Sequence, residues 1–133
     1  MKGRKRQLAV DTLGLPLRVV VQAANVQDRL GGQAVLRRVP WSVRWQRVRV
    51  DRGYNSPALA AWCQAVLGCI LDVTPPAPQK GFVVQAGRWV VERTWAWLGR
   101  YRRLSKDYEQ NLLLSEGFLY AASVHLLVRR LCR

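Results

Sequence analysis

Two acidic residues, Asp51 and Glu92, have the surroundings of metal-binding carboxylates. Asp51 ends the run from Arg47 to Val50, in which valines alternate with arginines, and this pattern predicts a strand. Gly53 follows and permits a tight turn. An acid at the end of a strand, before a glycine turn and a helix, lies where α/β sheets carry functional groups. Because divalent ions of the magnesium type bind carboxylate oxygens, Asp51 is a candidate metal ligand.

Glu92 stands alone among arginines and tryptophans in the run from Arg88 to Leu104. Apolar residues recur there every three or four positions, at Val91, Trp95 and Leu98. This spacing predicts an amphipathic helix, on which Glu92 shares a face with Arg88 one turn earlier. The same spacing is typical of a weak surface ion pair in the less favourable order. Spacing alone therefore leaves two roles open for Glu92, a metal ligand and a neutralised surface charge.

The elements that would position these acids follow from periodicity and turn residues. The segment 7–12 and the Val-rich segment 17–23, joined by Gly14-Leu15-Pro16, predict a β-hairpin. Ser56 and Pro57 are suited to cap and begin a helix that Gly68 would stop. The stretch 74–81 is predicted to be a loop, because its clustered prolines remove backbone donors. The predicted strands cover about 7–12, 17–23, 47–51 and 69–73, and the predicted helices cover about 28–38, 57–67, 86–104 and 114–131.

The composition describes one basic globular domain. The chain has 133 residues, half of them apolar, which is enough for a packed core. Its 22 Lys and Arg residues against 8 Asp and Glu residues give a net charge of +14. A small domain with this balance is typical of nucleic-acid binding first, and of binding to an anionic membrane or an acidic partner second. Arginine predominates, which favours bidentate contacts with phosphate.

Several other features exclude competing classes of protein. No apolar run is expected to reach the 18 or so residues that a membrane span needs, and the basic start is not followed by the apolar stretch of a signal peptide. A cytoplasmic protein with no membrane partner is predicted. Cys63, Cys69 and Cys132 are odd in number and lack paired spacing, so buried thiols are predicted in place of disulfides or zinc ligands. His125 is the single histidine, and a packing or surface role is predicted for it.

Three blocks of sequence closely resemble the C-terminal half of DDE transposases of bacterial insertion sequences. They are GRKRQLAVDTLGL at 3–15, VDRGY at 50–54 and WVVERTWAWLGRYRRLSKDYE at 89–109, in the order in which the family has them. The resemblance covers about residues 2–131 and begins partway into the catalytic domain of the family. It implies an α/β protein with a partial RNase H-like fold, in which a mixed sheet of about four strands is flanked by helices and the first, central strand is missing.

The resemblance also implies roles for individual residues. Asp51 matches the second acid of the family, and Arg88 and Glu92 match the arginine and glutamate of its third block. Mg²⁺ or Mn²⁺ would then be held by Asp51 and Glu92. The tyrosine and lysine that often complete this block in the family are replaced by Gln85 and Gly99. The expected DNA contacts are Arg88, Arg93, Arg100, Arg103 and Lys106.

The first acid of the family would lie before Met1, and Asp11 is expected to be structural or to act on the metal only indirectly. Without the central strand the sheet would have unpaired edges, which invite pairing with other chains. The chain is therefore expected to fold poorly alone or to pair strand 7–12 with strand 47–51.

The implied function is DNA transposition through metal-dependent strand cleavage and strand transfer, in a fragment expected to be incomplete and inactive. The alternatives are a non-catalytic basic DNA-binding remnant and a basic structural protein of an RNA assembly. The expected partners are the ends of an insertion sequence and its target DNA, with a homodimer or the product of an upstream reading frame as a possible protein partner.

Overall fold

A computed structural model describes residues 3–40, 42–75 and 88–133, and for Arg88 it describes the backbone only. Most of the predicted loop 74–81 lies outside these residues, as does Gln85. The described chain contains four strands and four α-helices, which confirms the predicted mixed α/β composition.

The first two strands form an antiparallel hairpin. Strand β1 (Arg4–Val10) pairs with strand β2 (Pro16–Ala23). Two residues shape the turn between them. Gly14 adopts a φ of +83°, and the Asp11 carboxylate accepts hydrogen bonds from the backbone N–H groups of Leu13 and Leu15 at 2.9 and 2.8 Å. Asp11 therefore stabilises the turn, in agreement with a structural role.

The next elements form a parallel β-α-β unit. Helix α1 (Asp28–Arg37) leads to strand β3 (Arg47–Val50), which pairs in parallel with strand β4 (Ile70–Val73). Between these strands lies helix α2 (Pro57–Trp62), whose first turn is capped by the Ser56 hydroxyl at 3.3 Å from the N–H of Leu59. The helix continues as a π-helical turn (Cys63–Leu67) and ends at Gly68, which has a φ of +64°.

The prediction of one four-stranded sheet is wrong for the described residues, in which the strands form two separate two-stranded ladders. The ladder hydrogen bonds of β1 go to β2, and those of β3 go to β4. A side-chain contact links the two ladders, in which the Tyr54 hydroxyl donates a hydrogen bond to Oε1 of the buried Gln7. The predicted pairing of strand 7–12 with strand 47–51 is therefore also wrong.

Strand β2 lies at the centre of the core, because its successive side chains point to opposite faces. Val19 and Val21 pack in one cluster with helix α3 (Arg88–Gly99) and helix α4 (Leu112–Leu131). Val20 packs on the other face with residues of α1 and α2. The hairpin is thus a central layer with two helices on each side.

Helix α4 is longer and more apolar than the sequence pattern suggested. Its 20 residues have a mean hydropathy of 1.3 over an 18-residue window, so it meets the length and composition of a membrane span. The expectation that no apolar run approaches this length is wrong. The inner side of α4 packs against the hairpin through Leu119 and Ala122, and the central helix of a water-soluble domain has the same composition.

The cysteines differ from one another in burial. Cys63 and Cys69 are buried free thiols, as predicted, and burial raises the pKa of Cys63 to about 11. Cys132 is exposed, so the prediction of burial is wrong for this residue, which follows the last turn of α4. The His125 ring is exposed, and its Nδ1 lies 2.6 Å from the Tyr101 hydroxyl.

Asp107 joins the loop after α3 to both β1 and α4. Its carboxylate accepts hydrogen bonds from Arg4 Nη1 at 3.2 Å, from the hydroxyl of the buried Ser115 at 3.1 Å and from the backbone N–H of Glu109 at 3.2 Å. Partial burial acts to raise the pKa of Asp107, but these three donors outweigh it and lower the pKa below 3.8.

Replacing Asp107 by Asn is expected to lower the free energy of unfolding at pH 7 by about 1–3 kcal/mol, because three donors lose a charged acceptor. The folded-state pKa lies below the unfolded value of 3.8, so the carboxylate contributes stability above that pH and loses it as the pH falls through the folded-state value. Urea titrations of both proteins at pH 7 and at about pH 3 measure this difference, which should shrink at the lower pH.

The matched control is Asp72→Asn, which removes a more exposed carboxylate paired with Arg47 and Arg49. Exposed pairs of this kind contribute at most about 1 kcal/mol. An equal loss of stability in the two variants would contradict the role assigned to Asp107.

Candidate active site

Asp51 lies where the sequence placed it, directly after β3. Its Oδ1 accepts a hydrogen bond from the backbone N–H of Arg52 at 2.9 Å and so caps the 3₁₀ turn Arg52–Tyr54. The side chain is exposed. The carboxylate is therefore held by a local backbone contact and remains accessible to solvent.

The acid that packs against the Asp51 turn is Asp28, the first residue of α1. A Cβ added at Gly53 would stand 2.9 Å from Asp28 Oδ2, so a side chain at position 53 would require the Asp28 carboxylate to shift. Lys5 Nζ neutralises Asp28 at 2.9 Å. Burial, followed by the negative charges of Asp28 and Asp51, raises the pKa of Tyr54. Sequence spacing carried no sign of this proximity.

Glu92 is exposed on α3, and the first half of this helix is fixed to the hairpin turn. The buried Thr94 hydroxyl donates a hydrogen bond to the carbonyl of Gly14, and Arg93 Nη2 donates one to the carbonyl of Leu13 at 2.7 Å. One turn later, Leu98 is buried in the core. The position and rotation of α3 are therefore set by contacts on the side opposite Glu92.

The contacts around the two acids involve different parts of β1. The surroundings of Asp51 reach β1 through Lys5 and Gln7, whereas the first half of α3 lies against the turn that follows Val10. These contacts place the turn after Asp51 next to Asp28. Within the described residues, no group of three His, Cys, Asp or Glu side chains lies close enough to hold a metal ion.

The residues predicted to contact DNA differ in their contacts with other side chains of the protein. Arg93 is stacked between two tryptophans, with its guanidinium carbon 4.5 Å from the centre of the Trp89 ring and 4.7 Å from that of Trp97. Arg103 forms an ion pair with Glu109 at 2.7 Å and lies over the Phe118 ring at 4.9 Å. Both guanidinium groups therefore already have protein partners.

Arg100 and Lys106 are exposed, at the end of α3 and in the loop that follows. Among the described residues, no carboxylate lies within ion-pair distance of either side chain. The side chain of Arg88 lies outside the described part of the chain. Arg100 and Lys106 are thus the most accessible of the predicted DNA contacts.

Comparison with known proteins identifies the family. The family described as "Transposase DDE domain" matches residues 1–127. The chain belongs to the DDE transposase family. A curated relative, the putative transposase for insertion sequence element IS402 of Burkholderia cepacia, is 31% identical to this DDE transposase chain over 126 residues.

The comparison also bears on how much of a transposase the chain represents. The alignment covers 88% of this chain and 59% of the relative from Burkholderia cepacia, so the chain spans about three fifths of the length of that transposase. No solved structure matches the chain.

Proposed function

We propose that this transposase chain takes part in divalent-metal-dependent DNA strand cleavage and strand transfer, with Asp51 and Glu92 as two of the metal-binding acids. The observation that carries the proposal is that both carboxylates are exposed in a basic chain of the DDE family. Carboxylate oxygens suit Mg²⁺ or Mn²⁺, which retain positions for water and phosphate oxygens. The proposed site of action is DNA in the cytoplasm.

The residues of the chain have distinct proposed roles. When bound, a divalent ion would activate the attacking oxygen and stabilise the leaving oxygen of a phosphoryl transfer. Asp51 would hold the ion from its capped turn after β3, and Glu92 would hold it from α3. Arg100 and Lys106 would neutralise DNA phosphates, as would Arg88. Arg93 and Arg103 would assist mainly by keeping α3 and the following loop in place.

The proposal requires a third metal-binding group, because no group of three such side chains lies within the described residues. We propose that a strand carrying the first aspartate of the family pairs between β1 and β3, as an RNase H-like sheet requires. In the described part of the chain, β1 forms ladder hydrogen bonds only with β2, and β3 only with β4. The other edge of each strand is therefore able to pair with such a strand, which supports the proposal. The two ladders would then become one mixed sheet with β2 and β4 at its edges. Without such a strand, the chain is expected to bind DNA and to leave it uncut.

Metal binding tests the assignment of the two acids directly. Asp51→Asn and Glu92→Gln are each expected to weaken Mn²⁺ binding by at least about tenfold in a calorimetric titration, because each removes one charged oxygen ligand. Asp72→Asn, which removes an acid from the neighbouring strand, should leave the affinity unchanged. Equal effects of all three substitutions would indicate general attraction between metal and acidic groups.

A second measurement locates the ion. Fe²⁺ bound in place of Mg²⁺ generates hydroxyl radicals with peroxide and cuts the backbone nearby, so cuts close to both 51 and 92 are expected when DNA and the strand carrying the first aspartate are supplied. Cuts near one acid alone would overturn the shared site.

A non-catalytic DNA-binding remnant is the second candidate, and the described residues favour it because they contain no group of three side chains that could hold a metal ion. Assays of DNA nicking and strand transfer distinguish this candidate from the catalytic one. If nicking and strand transfer remain absent with Mg²⁺ and the added strand, and if Glu92→Ala leaves DNA affinity unchanged or raises it, the binding-only function is the correct one.

A further inference from the structure

Tyr54 links the turn that follows Asp51 to strand β1. Its hydroxyl donates a hydrogen bond to Oε1 of Gln7, a residue that is only 3% exposed. Gln7 lies in the middle of β1, and β1 shares no ladder with β3 in the described part of the chain. The turn at the end of β3 is therefore joined by a side-chain hydrogen bond to a strand with which the backbone of β3 does not pair.

The backbone of the turn connects the position of Tyr54 to that of Asp51. The N–H of Tyr54 donates a hydrogen bond to the carbonyl of Asp51 at 3.0 Å, and the N–H of Arg52 donates one to the Asp51 carboxylate at 2.9 Å. Both hydrogen bonds close the 3₁₀ turn Arg52–Tyr54 onto Asp51. Because the turn is this short and this closed, a displacement of the Tyr54 ring also moves the backbone that carries the Asp51 carboxylate.

Two adjacent glycines of α1 make room for this link. A Cβ added at Gly32 would stand 2.9 Å from Cδ1 of the Tyr54 ring, and a Cβ added at Gly31 would stand 2.5 Å from Nε2 of Gln7. Either contact would force the neighbouring side chain to shift. Glycine destabilises the interior of a helix, so the pair is unfavourable for α1 taken alone. The close approach of Tyr54 and Gln7 to α1 explains why these two positions carry no side chain.

We propose that Tyr54 is a positioning residue, which holds Asp51 at a fixed place relative to β1 through its hydrogen bond to Gln7. The inference rests on the proposed function, in which Asp51 binds the divalent ion. A metal ligand has to be held to within about 0.5 Å, and the groups around it supply that precision. The Asp51 carboxylate is exposed, and its hydrogen bond goes to the backbone of its own turn. The place of the turn is therefore set by contacts with other elements, among them the Tyr54 ring on α1 and the Tyr54 hydroxyl on β1.

A purely structural role for Tyr54 makes a different prediction. Loss of the hydroxyl leaves Gln7 as a buried polar group without this partner, which lowers stability whether or not the turn moves. Replacing both partners by apolar groups of similar shape removes that penalty. The two roles are therefore separated by a double variant in which stability is restored and the directional hydrogen bond is not.

Distances between two spin labels measure the position of the turn without any metal. One label is attached at Asn55→Cys, directly after the turn, and the other at Thr12→Cys in the hairpin turn, and both positions are exposed. Cys132→Ser removes the exposed natural thiol, and Cys63 and Cys69 are buried and should remain unlabelled. Double electron–electron resonance then gives the distribution of distances between the two labels.

Tyr54→Phe should widen this distribution, because the ring keeps its place against α1 and the anchor on β1 is lost. The double variant Tyr54→Phe, Gln7→Met should regain the urea midpoint of the unaltered chain and keep the wide distribution. The matched control is Tyr108→Phe, at a residue that is 58% exposed, and it should change neither quantity. Gly32→Ala should also shift or widen the distribution, whereas Gly117→Ala in α4, where a Cβ meets nothing within 4 Å, should leave it unchanged.

Calorimetric titration with Mn²⁺ connects the position of the turn to the metal. Tyr54→Phe and the double variant should each weaken Mn²⁺ binding by roughly three- to tenfold, because the tyrosine acts on the ligand through the turn and does not itself touch the ion. The loss should be smaller than that in Asp51→Asn, which removes the ligand oxygen. Tyr108→Phe should leave the affinity unchanged.

Three results would overturn the proposal. One is an unchanged distribution of distances in Tyr54→Phe. Another is recovery of the narrow distribution together with stability in the double variant, since this would make Tyr54 a structural residue only. The third is weaker Mn²⁺ binding in Asp51→Asn without any loss in Tyr54→Phe, which would leave the proposed function standing. If Asp51→Asn itself leaves Mn²⁺ binding unchanged, the proposed function fails, and the distance measurement still decides whether Tyr54 holds the turn.

Discussion

The affinity of the chain for DNA is expected to fall by about three to five decades between 50 and 200 mM salt, provided that it neutralises six to ten phosphates. The expectation follows from the net charge of +14 and from the proposed function on DNA. Each neutralised phosphate releases condensed counterions, so the logarithm of the affinity falls linearly with the logarithm of the salt concentration. Fluorescence anisotropy with a labelled duplex measures the slope.

Individual substitutions show which cations make the contacts. Arg100→Ala and Lys106→Ala should each reduce the slope by about 0.9, the value for one lost phosphate contact on duplex DNA. Arg103→Ala is the matched control, because its guanidinium already pairs with Glu109 and should change the slope less. A slope near zero, or equal effects of all three substitutions, would contradict the proposed DNA contacts.

Replacing Leu119 by alanine is expected to lower the free energy of unfolding by about 2–5 kcal/mol. Leu119 is fully buried and packs in one cluster with Val19, Val21 and Leu98, so truncation leaves a cavity between the hairpin, α3 and α4. A domain of this size is stable by about 5–15 kcal/mol, and the loss is a large part of that. Urea denaturation followed by circular dichroism measures it, at a concentration where the chain is monomeric.

Leu13→Ala is the control for this substitution, because the Leu13 side chain is 63% exposed in the hairpin turn. Its effect should be within about 0.5 kcal/mol. If the Leu119 variant unfolds at the same urea concentration as the unaltered chain, α4 does not pack on the hairpin as described. A broad transition in the unaltered chain would support the expectation that it folds poorly alone.

Local patterns in the sequence predicted local structure well. The alternation of Val48 and Val50 with arginines corresponds to β3, and the cap and first residue predicted at Ser56 and Pro57 begin α2. Such features depend on neighbours within one turn or one strand. The partners of each strand could not be predicted in the same way, because pairing depends on backbone edges that are distant in sequence. The sheet inferred from resemblance is accordingly the part of the fold that differs.

The same distinction applies to the candidate site. The strand-end position of Asp51 was predictable from residues 47–53, whereas the approach of Asp28 to its turn brings together residues from separate elements. The ion pair between Arg103 and Glu109 joins residues that are only six positions apart in the sequence. The stacking of Arg93 between two tryptophans was not anticipated, although i, i+4 spacing on a helix allows it.

The buried hydrogen bond from Thr94 to Gly14 limits how Glu92 can move. Turning α3 about its axis by a single residue, about 100°, would withdraw the hydroxyl from its acceptor and expose both groups to an apolar interior. The direction in which Glu92 points from the helix axis is therefore fixed by the contact of α3 with the hairpin turn. Any rearrangement that redirects this carboxylate has to move the hairpin turn together with the helix, or break the hydrogen bonds from Arg93 and Thr94 to that turn.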